Sequence, residues 1–357
     1  MLHPGPLVAD GIAAALEPGA SIALDHAAAA DVPARAFLRA AWFAAAAGDA
    51  PLATLVARCR GTEEILAAIP LTRRRIGPLS IPEVGGSYWP WRGFPAAGEG
   101  GEAALAALLS SSDGRRALGL AWRIGPVLAD DPALARLTAA ASRSGWTILS
   151  RRLGACFVVD LAALRESGPW PSVKTLRKNR WLERRLGESG ELAFESITGP
   201  QWNAGTFDRL AHIEGESWVG RRAAKRDTKF LNPDNRAMWV RLTEDPEIAA
   251  MLGCSILSVG GEPAAFTFSL RAGSTLHIIA NSYNERFREG SPGRILLYRD
   301  LQRAAEAGIA AVDWGAGDPG YKSEMGARPG PDMLDLLIVR GAALAALLRP
   351  LWTRVRA

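Results

Sequence analysis

One stretch of the sequence, residues 288–322, limits the possible folds more than any other part of the chain. It reads REGSPGRILLYRDLQRAAEAGIAAVDWGAGDPGYK, which predicts a glycine-rich turn, a helix, a strand and a second glycine-rich turn. Three predicted strands precede it, at residues 255–259, 263–271 and 275–282, with tight glycine turns between them. A meander of strands that leads into a crossover helix is typical of an α/β fold.

The start of this predicted helix has two interpretations. Ser291 is positioned to cap the helix, Pro292 suits its first turn, and Gly308 suits the residue just beyond its end. An ordinary capped helix is one interpretation. The other is an anion site, because free amides and the helix dipole attract negative charge to an N-terminus. The amides available to a pyrophosphate are then those of Gly290, Ser291, Gly293 and Arg294.

Length and composition predict a globular protein with two domains. The chain has 357 residues, of which 48% are hydrophobic and 22% charged, and this composition suits a sizeable core. The sequence ESGPWP at residues 166–171 has the glycine and proline content of a linker. We therefore expect a first domain at 1–165, a linker at 166–172, a second domain at 173–340 and a tail at 341–357.

Charge, cysteine and histidine content restrict location and partners. No apolar run reaches the roughly 20 residues that span a bilayer, and residues 1–20 lack the basic start of a secretory signal. The three cysteines lie far apart and the four histidines show no ligand spacing. We therefore expect a cytoplasmic protein with reduced thiols and no metal site. The net charge of +5 suits an anionic ligand or lipid, whereas no motif indicates a nucleic-acid partner.

The motifs around the crossover helix resemble a known family. In chain order they are Tyr283-Asn284, Ser291-Pro292-Gly293, Leu296-Leu297, Asp313, Gly315, Gly317-Asp318 and Tyr321-Lys322. This order resembles the Gcn5-related N-acetyltransferase (GNAT) superfamily. In more detail it resembles the cellulose-biosynthesis-type acetyltransferases, relatives of the double-GNAT peptidoglycan aminoacyl transferases. The sequences LRKNRWLERR at 176–185 and ESWVGR at 216–221 also resemble that family.

The resemblance is detailed over residues 173–340, whereas the first half resembles the family only in its order of elements. The segment 288–293 departs from the usual GNAT phosphate loop, Q/R-x-x-G-x-G/A. The resemblance implies an α/β fold of two tandem GNAT-like domains, each a mixed, mostly antiparallel sheet flanked by helices. It also implies acyl transfer from acyl-CoA or acetyl-CoA to a primary amine. The implied CoA-binding residues are Ala280, Asn281, Ser282, Arg288, Gly290, Ser291, Gly293, Arg294 and Lys322.

Acyl transfer to an amine makes three chemical demands. The amine must lose a proton, since an alkylammonium has a pKa near ~10, the oxyanion needs donors, and the leaving thiolate needs an acid. The resemblance implies Tyr321 as the acid; the alternative is a packing side chain. Asp313, Asp318 and Glu216 are candidate bases, although Asp318 also suits a turn and Glu216 a helix surface. Lys322 either pairs with a phosphate or is solvated.

Three further segments have two interpretations each. The basic helix predicted at 173–186 is a solvated face, or it meets CoA phosphates or anionic lipid. The aromatic loop GGSYWPWRGFP at 85–95 forms a small core or lines a pocket. The tail at 341–357 lies on a membrane or docks on the protein's own core. The apolar stripe of this tail consists of Leu344, Leu347, Leu348, Leu351, Trp352 and Val355.

These segments favour an envelope-building acceptor. A membrane-surface tail and an aromatic pocket suit an amphiphilic amine, such as a sphingoid long-chain base that is converted to a ceramide-type amide. An amino sugar in exopolysaccharide synthesis is the main alternative. A non-catalytic GNAT-like scaffold predicts no CoA binding, and tRNA-dependent aminoacyl transfer predicts RNA affinity that falls steeply with salt. The expected location is the cytoplasm, with peripheral contact to the inner membrane through residues 341–357.

Overall fold

The computed structural model describes residues 11–76, 79–86, 92–96, 98, 100–168, 170–221, 228–318 and 320–353. The chain divides into two compact units. One unit is Met1–Cys156 together with Gly330–Ala357, and the other is Phe157–Pro329. This division differs from the predicted ranges in two places. The second unit already begins at Phe157, and Gly330–Ala357 joins the first unit, through the strand pairing given below.

The first unit begins with β1 (Ile12–Pro18), α1 (Ala23–Ala30), a 3₁₀ turn (Pro33–Arg35) and α2 (Ala40–Ala47). It continues with β2 (Ala53–Cys59), β3 (Ile65–Ile76), β4 (Leu79–Val84), α3 (Gly101–Ser110), α4 (Ser112–Leu118), β5 (Ala121–Leu128), α5 (Pro132–Arg143) and β6 (Trp146–Asp160). Strands β1 to β4 form an antiparallel meander. β5 then lies parallel to β4, with Glu83 opposite Arg123.

The second unit repeats this plan. Before its sheet come α6 (Leu161–Glu166) and α7 (Val173–Gly187). The elements that follow are β7 (Leu192–Thr198), α8 (Ala204–Glu216), α9 (Trp218–Arg221), α10 (Pro233–Glu244), α11 (Pro246–Met251), β8 (Leu252–Val259), β9 (Glu262–Ala272), β10 (Thr275–Tyr283), α12 (Pro292–Glu306), β11 (Ala311–Ala316) and α13 (Tyr321–Glu324). Strands β7 to β10 form an antiparallel meander, and α12 crosses over to β11, which is parallel to β10. The predicted α/β fold of mixed, mostly antiparallel strands flanked by helices is confirmed, and the two units share one order of strands.

The chain returns to the first unit with β12 (Arg328–Arg340) and α14 (Ala342–Trp352). β12 pairs antiparallel with β5, from Met333 opposite Leu128 to Val339 opposite Ala121. α14 packs on the sheet of its own unit through Leu344, Leu348 and Trp352. The predicted apolar stripe is therefore divided, because Leu347 and Leu351 are 71% and 68% exposed. Leu344, Leu348 and Trp352 therefore fit the predicted alternative in which the tail docks on the protein's own core. Val355 lies outside the described residues.

Local sequence explains the turns that frame the site. Gly260 and Gly261 both have positive φ, 57° and 84°, as a tight hairpin between β8 and β9 requires. Gly308 also has a positive φ, 76°, and its amide bonds to the Ala305 carbonyl, so its predicted place beyond the end of α12 is confirmed.

α4 ends at Leu118 and β5 begins at Ala121, so only two residues separate this helix from the strand that follows it. β6 is a single long strand of 15 residues.

Several hydrophobic clusters hold the second unit together, and one of them packs Leu301 and Ala304 of α12 against Val312 of β11. Leu182 and Leu186 of α7 pack with Ile295 and Leu296 of α12 against the sheet. A separate group of aromatic rings surrounds Phe268 of β9, with ring centroids 5.0–5.7 Å apart; its members are Trp202, Phe230 and Trp239. Because α12 is packed along its length, the position of its N-terminus is fixed by the core.

Candidate functional site

The site begins where β10 and β11 diverge. Their parallel pairing covers only three positions, from Thr275 opposite Ala311 to His277 opposite Asp313. β10 continues to Tyr283, and a register break between Ile278 and Ala280 marks a bulge in its pairing with β9. Within these two fully described strands, the edge of β10 beyond His277 has no partner on the β11 side. This edge offers backbone groups to an extended ligand.

A pocket of about 410 Å³ adjoins the free end of β10. It is lined by Trp218, Asn281, Ser282, Tyr283, Arg288, Ser291, Gly293, Arg294, Leu297, Tyr321 and Met325. Six of the nine predicted CoA-binding residues therefore lie together, as does the predicted acid Tyr321. Trp218, Tyr283, Leu297 and Met325 were not predicted as site residues. Sequence spacing could have identified two of them as pocket residues. Leu297 lies four residues after Gly293 on the same face of a helix, and Tyr283 lies two residues after Asn281 on the same face of a strand.

The N-terminus of α12 forms one wall of the pocket. Ser291 precedes it in the left-handed region, at φ 53° and ψ 49°, and its side chain caps nothing. The prediction of a serine cap was wrong, because this conformation does not aim the hydroxyl at the first turn. The Ser291 amide donates to the Arg288 carbonyl, 3.1 Å away. The Ser291 amide is thereby engaged within the chain, whereas Gly293 and Arg294 present their amides in the first turn of the helix.

Steric contacts explain why two positions beside this N-terminus, 290 and 293, are glycines. A Cβ on Gly293 would lie 3.3 Å from Cδ1 of Tyr283, so a side chain there crowds the pocket. A Cβ on Gly290 would lie 2.5 Å from Cδ1 of Leu186 on α7. Gly290 is buried and does not line the pocket, so its glycine serves packing. Ala280, another predicted CoA-binding residue that does not line the pocket, is half-buried on β10.

Two guanidinium groups make the pocket positive. Arg288 is exposed at its rim. Arg294 is mostly buried, its Nη1 lies 3.2 Å from Glu324 Oε2, and its Nε is buried without a hydrogen-bond partner. The two charges and the positive end of the α12 dipole act on the same space, which favours a phosphate or pyrophosphate.

Tyr321 brings a phenol into the pocket. Its oxygen lies 3.3 Å from Asn281 Nδ2, and its ring packs on Trp314 with centroids 5.8 Å apart. Burial raises the pKa of Tyr321 above its ordinary value, against the smaller lowering effect of the Asn281 hydrogen bond. The phenol is therefore protonated at neutral pH, as a proton donor must be.

Lys322, the next residue, was predicted to hold a phosphate. In the structure Lys322 has a different role. Its buried Nζ donates to the carbonyls of Trp314, Gly315 and Ala316 at 2.6, 3.1 and 3.2 Å. Its three donors face these carbonyls, and the residue does not line the pocket. Lys322 thus closes the turn after β11 and fixes the position of Tyr321.

The three predicted bases lie elsewhere. Asp313 is buried, accepts from the Gly315 amide at 2.8 Å and lies 3.4 Å from His277 Nδ1. Asp318 accepts from the Ser323 hydroxyl and from amides of its own turn, and the Ser323 hydrogen bond lowers its pKa. Glu216 is exposed, 3.9 Å from Arg221. Among the described residues that line the pocket there is no carboxylate and no imidazole.

A buried carboxylate nearby was missed. Glu214 on α8 is 4% exposed and accepts three backbone hydrogen bonds of 2.8 Å, from the amides of Lys229, Phe230 and Leu231. It therefore anchors the segment that follows residues 222–227 to α8, whose end leads into the pocket residue Trp218. The sequence HIEGESW has no pattern that separates this glutamate from the exposed Glu216.

Comparisons with known proteins concern the sequence of part of the chain and its fold. Residues 174–323 match the sequence family described as "Acetyltransferase (GNAT) domain". No curated protein matches the sequence. The cellulose-biosynthesis-type relationship stays a prediction, because the matched description does not name it.

Among solved structures, the fold is similar to that of FemX, with a TM-score of 0.57 and 13% identity over 87% of this chain and 94% of that one. It is also similar to a conserved protein of unknown function from Bacteroides thetaiotaomicron, with a TM-score of 0.54 and 13% identity over 91% and 100%. A third similar structure is the C-terminal domain of a putative lysylphosphatidylglycerol synthetase from Agrobacterium fabrum, with a TM-score of 0.52 and 16% identity over 92% and 93%. At such identities the likeness shows the fold alone.

Proposed function

We propose that this chain, in which residues 174–323 match a GNAT acetyltransferase domain, transfers an acyl group from a CoA thioester to a primary amine. One observation carries the proposal: a single pocket combines the free edge of β10, the N-terminus of α12 with two arginines, and a protonated tyrosine. These are the three features that a thioester of a long, phosphate-bearing carrier needs.

The pocket offers a place for each part of CoA. The amides of Gly293 and Arg294, with the guanidinium groups of Arg288 and Arg294, suit the pyrophosphate. The free backbone at residues 280–282 suits the pantetheine amides by strand-like pairing. An amide of the same edge suits the oxyanion of the tetrahedral intermediate.

The proposed chemistry balances with these residues. The amine nitrogen attacks the thioester carbonyl carbon and forms the C–N bond. Collapse of the intermediate breaks the C–S bond, and the Tyr321 phenol gives its proton to the leaving thiolate. The phenolate regains a proton from solvent. The proton of the amine passes to water, because no carboxylate or imidazole is found among the described pocket-lining residues.

For the acceptor, we favour an amphiphilic amine such as a sphingoid long-chain base. The support is local: Leu297 and Met325 line the same pocket as the proposed CoA residues, together with the half-exposed indole of Trp218. An apolar wall beside a polar reaction centre suits a molecule with an amine head and a hydrocarbon chain. The aromatic loop adds nothing here, since Tyr88, Trp89 and Trp91 lie outside the described residues and Phe94 is buried.

Thermal-shift titration with CoA, acetyl-CoA and palmitoyl-CoA tests the proposal. A ligand that binds the native state raises the melting temperature by mass action. We expect a shift in the wild type and in Arg286→Gln, whose side chain pairs with Glu262 outside the pocket. We expect the shift to be lost in the Arg288→Gln/Arg294→Gln double variant.

The pattern of ligands also tests the acceptor class. A larger shift with palmitoyl-CoA than with acetyl-CoA, absent with free palmitate, supports a lipid product. Preference for acetyl-CoA favours an amino sugar. No shift with any CoA ligand contradicts the proposed function.

A further inference from the structure

The outer face of α7 is the most strongly charged helix face in the described part of the second unit. It carries six exposed basic residues: Lys174, Arg177, Lys178, Arg180, Arg184 and Arg185. At 100° per residue, these six positions lie within an arc of about 160°. The buried positions Asn179, Leu182 and Leu186 lie on the other side of the helix.

The position of this face is fixed by the core. Leu182 and Leu186 are 4% and 2% exposed and pack with Phe287 and Ile295. Ser172 caps the helix by accepting a hydrogen bond from the Thr175 amide. The cationic face is therefore present in the free protein, and α7 does not have to fold on binding to a partner.

Little negative charge balances these cations. The one acidic side chain within α7, Glu183, lies off the cationic arc and is 2.9 Å from Arg299 on α12. Two exposed carboxylates lie at the cationic face: Glu289 pairs with Arg185 at 3.1 Å, and Glu188, directly after the helix, lies beside Arg184 and Arg185. The structure records no acidic partner among the described residues for the other five. The face is thus complementary to an anionic surface.

Apolar side chains lie within the same arc. Trp181, near its centre, is 48% exposed, and Val173 at the start of the helix is 72% exposed. Trp181, Arg184, Arg185 and Glu188 also line a shallow groove of about 320 Å³. An indole between guanidinium groups suits the boundary between phospholipid headgroups and acyl chains.

We propose that the α7 face docks the protein on a bilayer that contains anionic phospholipid. Four to eight basic residues on an amphipathic helix are typical of this kind of contact. A nucleic acid fits less well, because single strands are usually held in a basic groove with several stacking rings, whereas here the cations lie on one convex helix. The inference does not rest on the proposed function.

The docking face adjoins the pocket segment. On the docking face Arg185 pairs with Glu289, and on the buried side of the same helix Leu186 contacts the position of Gly290. The same segment continues to the pocket residues Arg288 and Ser291. Docking through α7 therefore brings the segment that lines the pocket to the membrane surface.

Vesicle co-sedimentation of the full chain, without any CoA ligand, tests this. The probes are vesicles of phosphatidylcholine alone and of phosphatidylcholine mixed with phosphatidylglycerol. We expect binding only to the mixed vesicles. Since each basic residue near such a surface is worth about 1 kcal/mol, Arg177→Gln/Lys178→Gln/Arg184→Gln should bind roughly a hundredfold more weakly.

A matched variant controls for net charge. Arg115→Gln/Arg116→Gln/Arg340→Gln also removes three positive charges, but from exposed positions of the first unit. This variant should bind like the wild type. Both triple variants should keep the wild-type melting temperature, since all six positions are exposed. Equal binding of the two variants, or equal binding to both vesicle types, overturns the inference. So does tighter binding of single-stranded RNA that only the α7 variant loses.

Discussion

The side-chain amide of Asn281 donates a hydrogen bond to the phenol oxygen of Tyr321, 3.3 Å away. The two residues come from opposite sides of the divergence between β10 and β11. Burial keeps the phenol protonated, while the amide stabilises the phenolate that forms when the proton leaves. The pair therefore suits a tyrosine that acts as an acid.

Replacing the phenol tests this role. Tyr321→Phe should lower kcat by roughly a hundredfold, the range for loss of a general acid, with little change in KM for the acyl donor. Asn281→Ala should lower kcat less. The double variant should be no worse than Tyr321→Phe, because Asn281 acts only through its hydrogen bond to the Tyr321 phenol. Tyr283→Phe, in the same pocket, is the control and should keep most activity. Full activity of Tyr321→Phe in steady-state assays would show that the acid lies elsewhere.

The pH dependence of kcat/KM should follow the amine. Because no carboxylate or imidazole is seen among the described pocket-lining residues, the rate should rise about tenfold per pH unit towards the amine pKa near ~10. Tyr321 should cause no fall in that range, since burial raises its pKa above the ordinary value. A plateau that starts near neutral pH would instead reveal a protein base.

The same shift in pKa predicts a change in stability. The folded-state pKa of Tyr321 lies above the unfolded value, so its contribution is present below about pH 10 and is lost as pH rises through the folded pKa. Urea unfolding of the wild type should therefore lose more stability above that pH than unfolding of Tyr321→Phe. Parallel curves for the two proteins would contradict the assignment.

Glu214 and Glu216 form a matched pair on α8. Glu214→Gln places an amide where three backbone N–H groups converge and should cost about 3 kcal/mol of unfolding free energy. Glu216→Gln, at an exposed position, should change it by no more than about 0.5 kcal/mol. Urea unfolding measures both. A large loss of kcat in a stable Glu216→Gln protein would identify Glu216 as the base.

Lys322 should be structural. Lys322→Met leaves three carbonyls at the end of β11 without their donor, which should cost about 2–4 kcal/mol. The exposed Lys178→Met is the control and should unfold like the wild type. If Lys322→Met is as stable as the wild type but loses affinity for CoA, the original phosphate-binding prediction is right.

The sequence predicted the elements of the site better than the directions of its side chains. Glycine turns and apolar periodicity located β10, α12 and β11, because these signals are local. The sequence did not show that Asp313 turns towards His277, or that Lys322 turns back onto the β11 carbonyls. Both directions depend on where β10 and β11 separate. That separation is a property of the assembled sheet.

The left-handed conformation of Ser291 is a similar case. The pattern Ser-Pro-Gly reads as a serine cap followed by a first-turn proline, and the helix does begin at Pro292. The packing of Gly290 under Leu186 fixes how the chain enters this turn. Local propensity gave the boundary of the helix, and tertiary contact gave the geometry of its cap.

The most direct measurement is the release of free CoA thiol from palmitoyl-CoA by the purified protein, with and without a long-chain primary amine. The account predicts amine-dependent release with an equal amount of amide by mass spectrometry. Release should be retained in Arg286→Gln and lost in Arg288→Gln/Arg294→Gln. Thiol release that is independent of both the amine and these arginines, or no release with palmitoyl-CoA or acetyl-CoA and any amine tested, would contradict acyl transfer at this pocket.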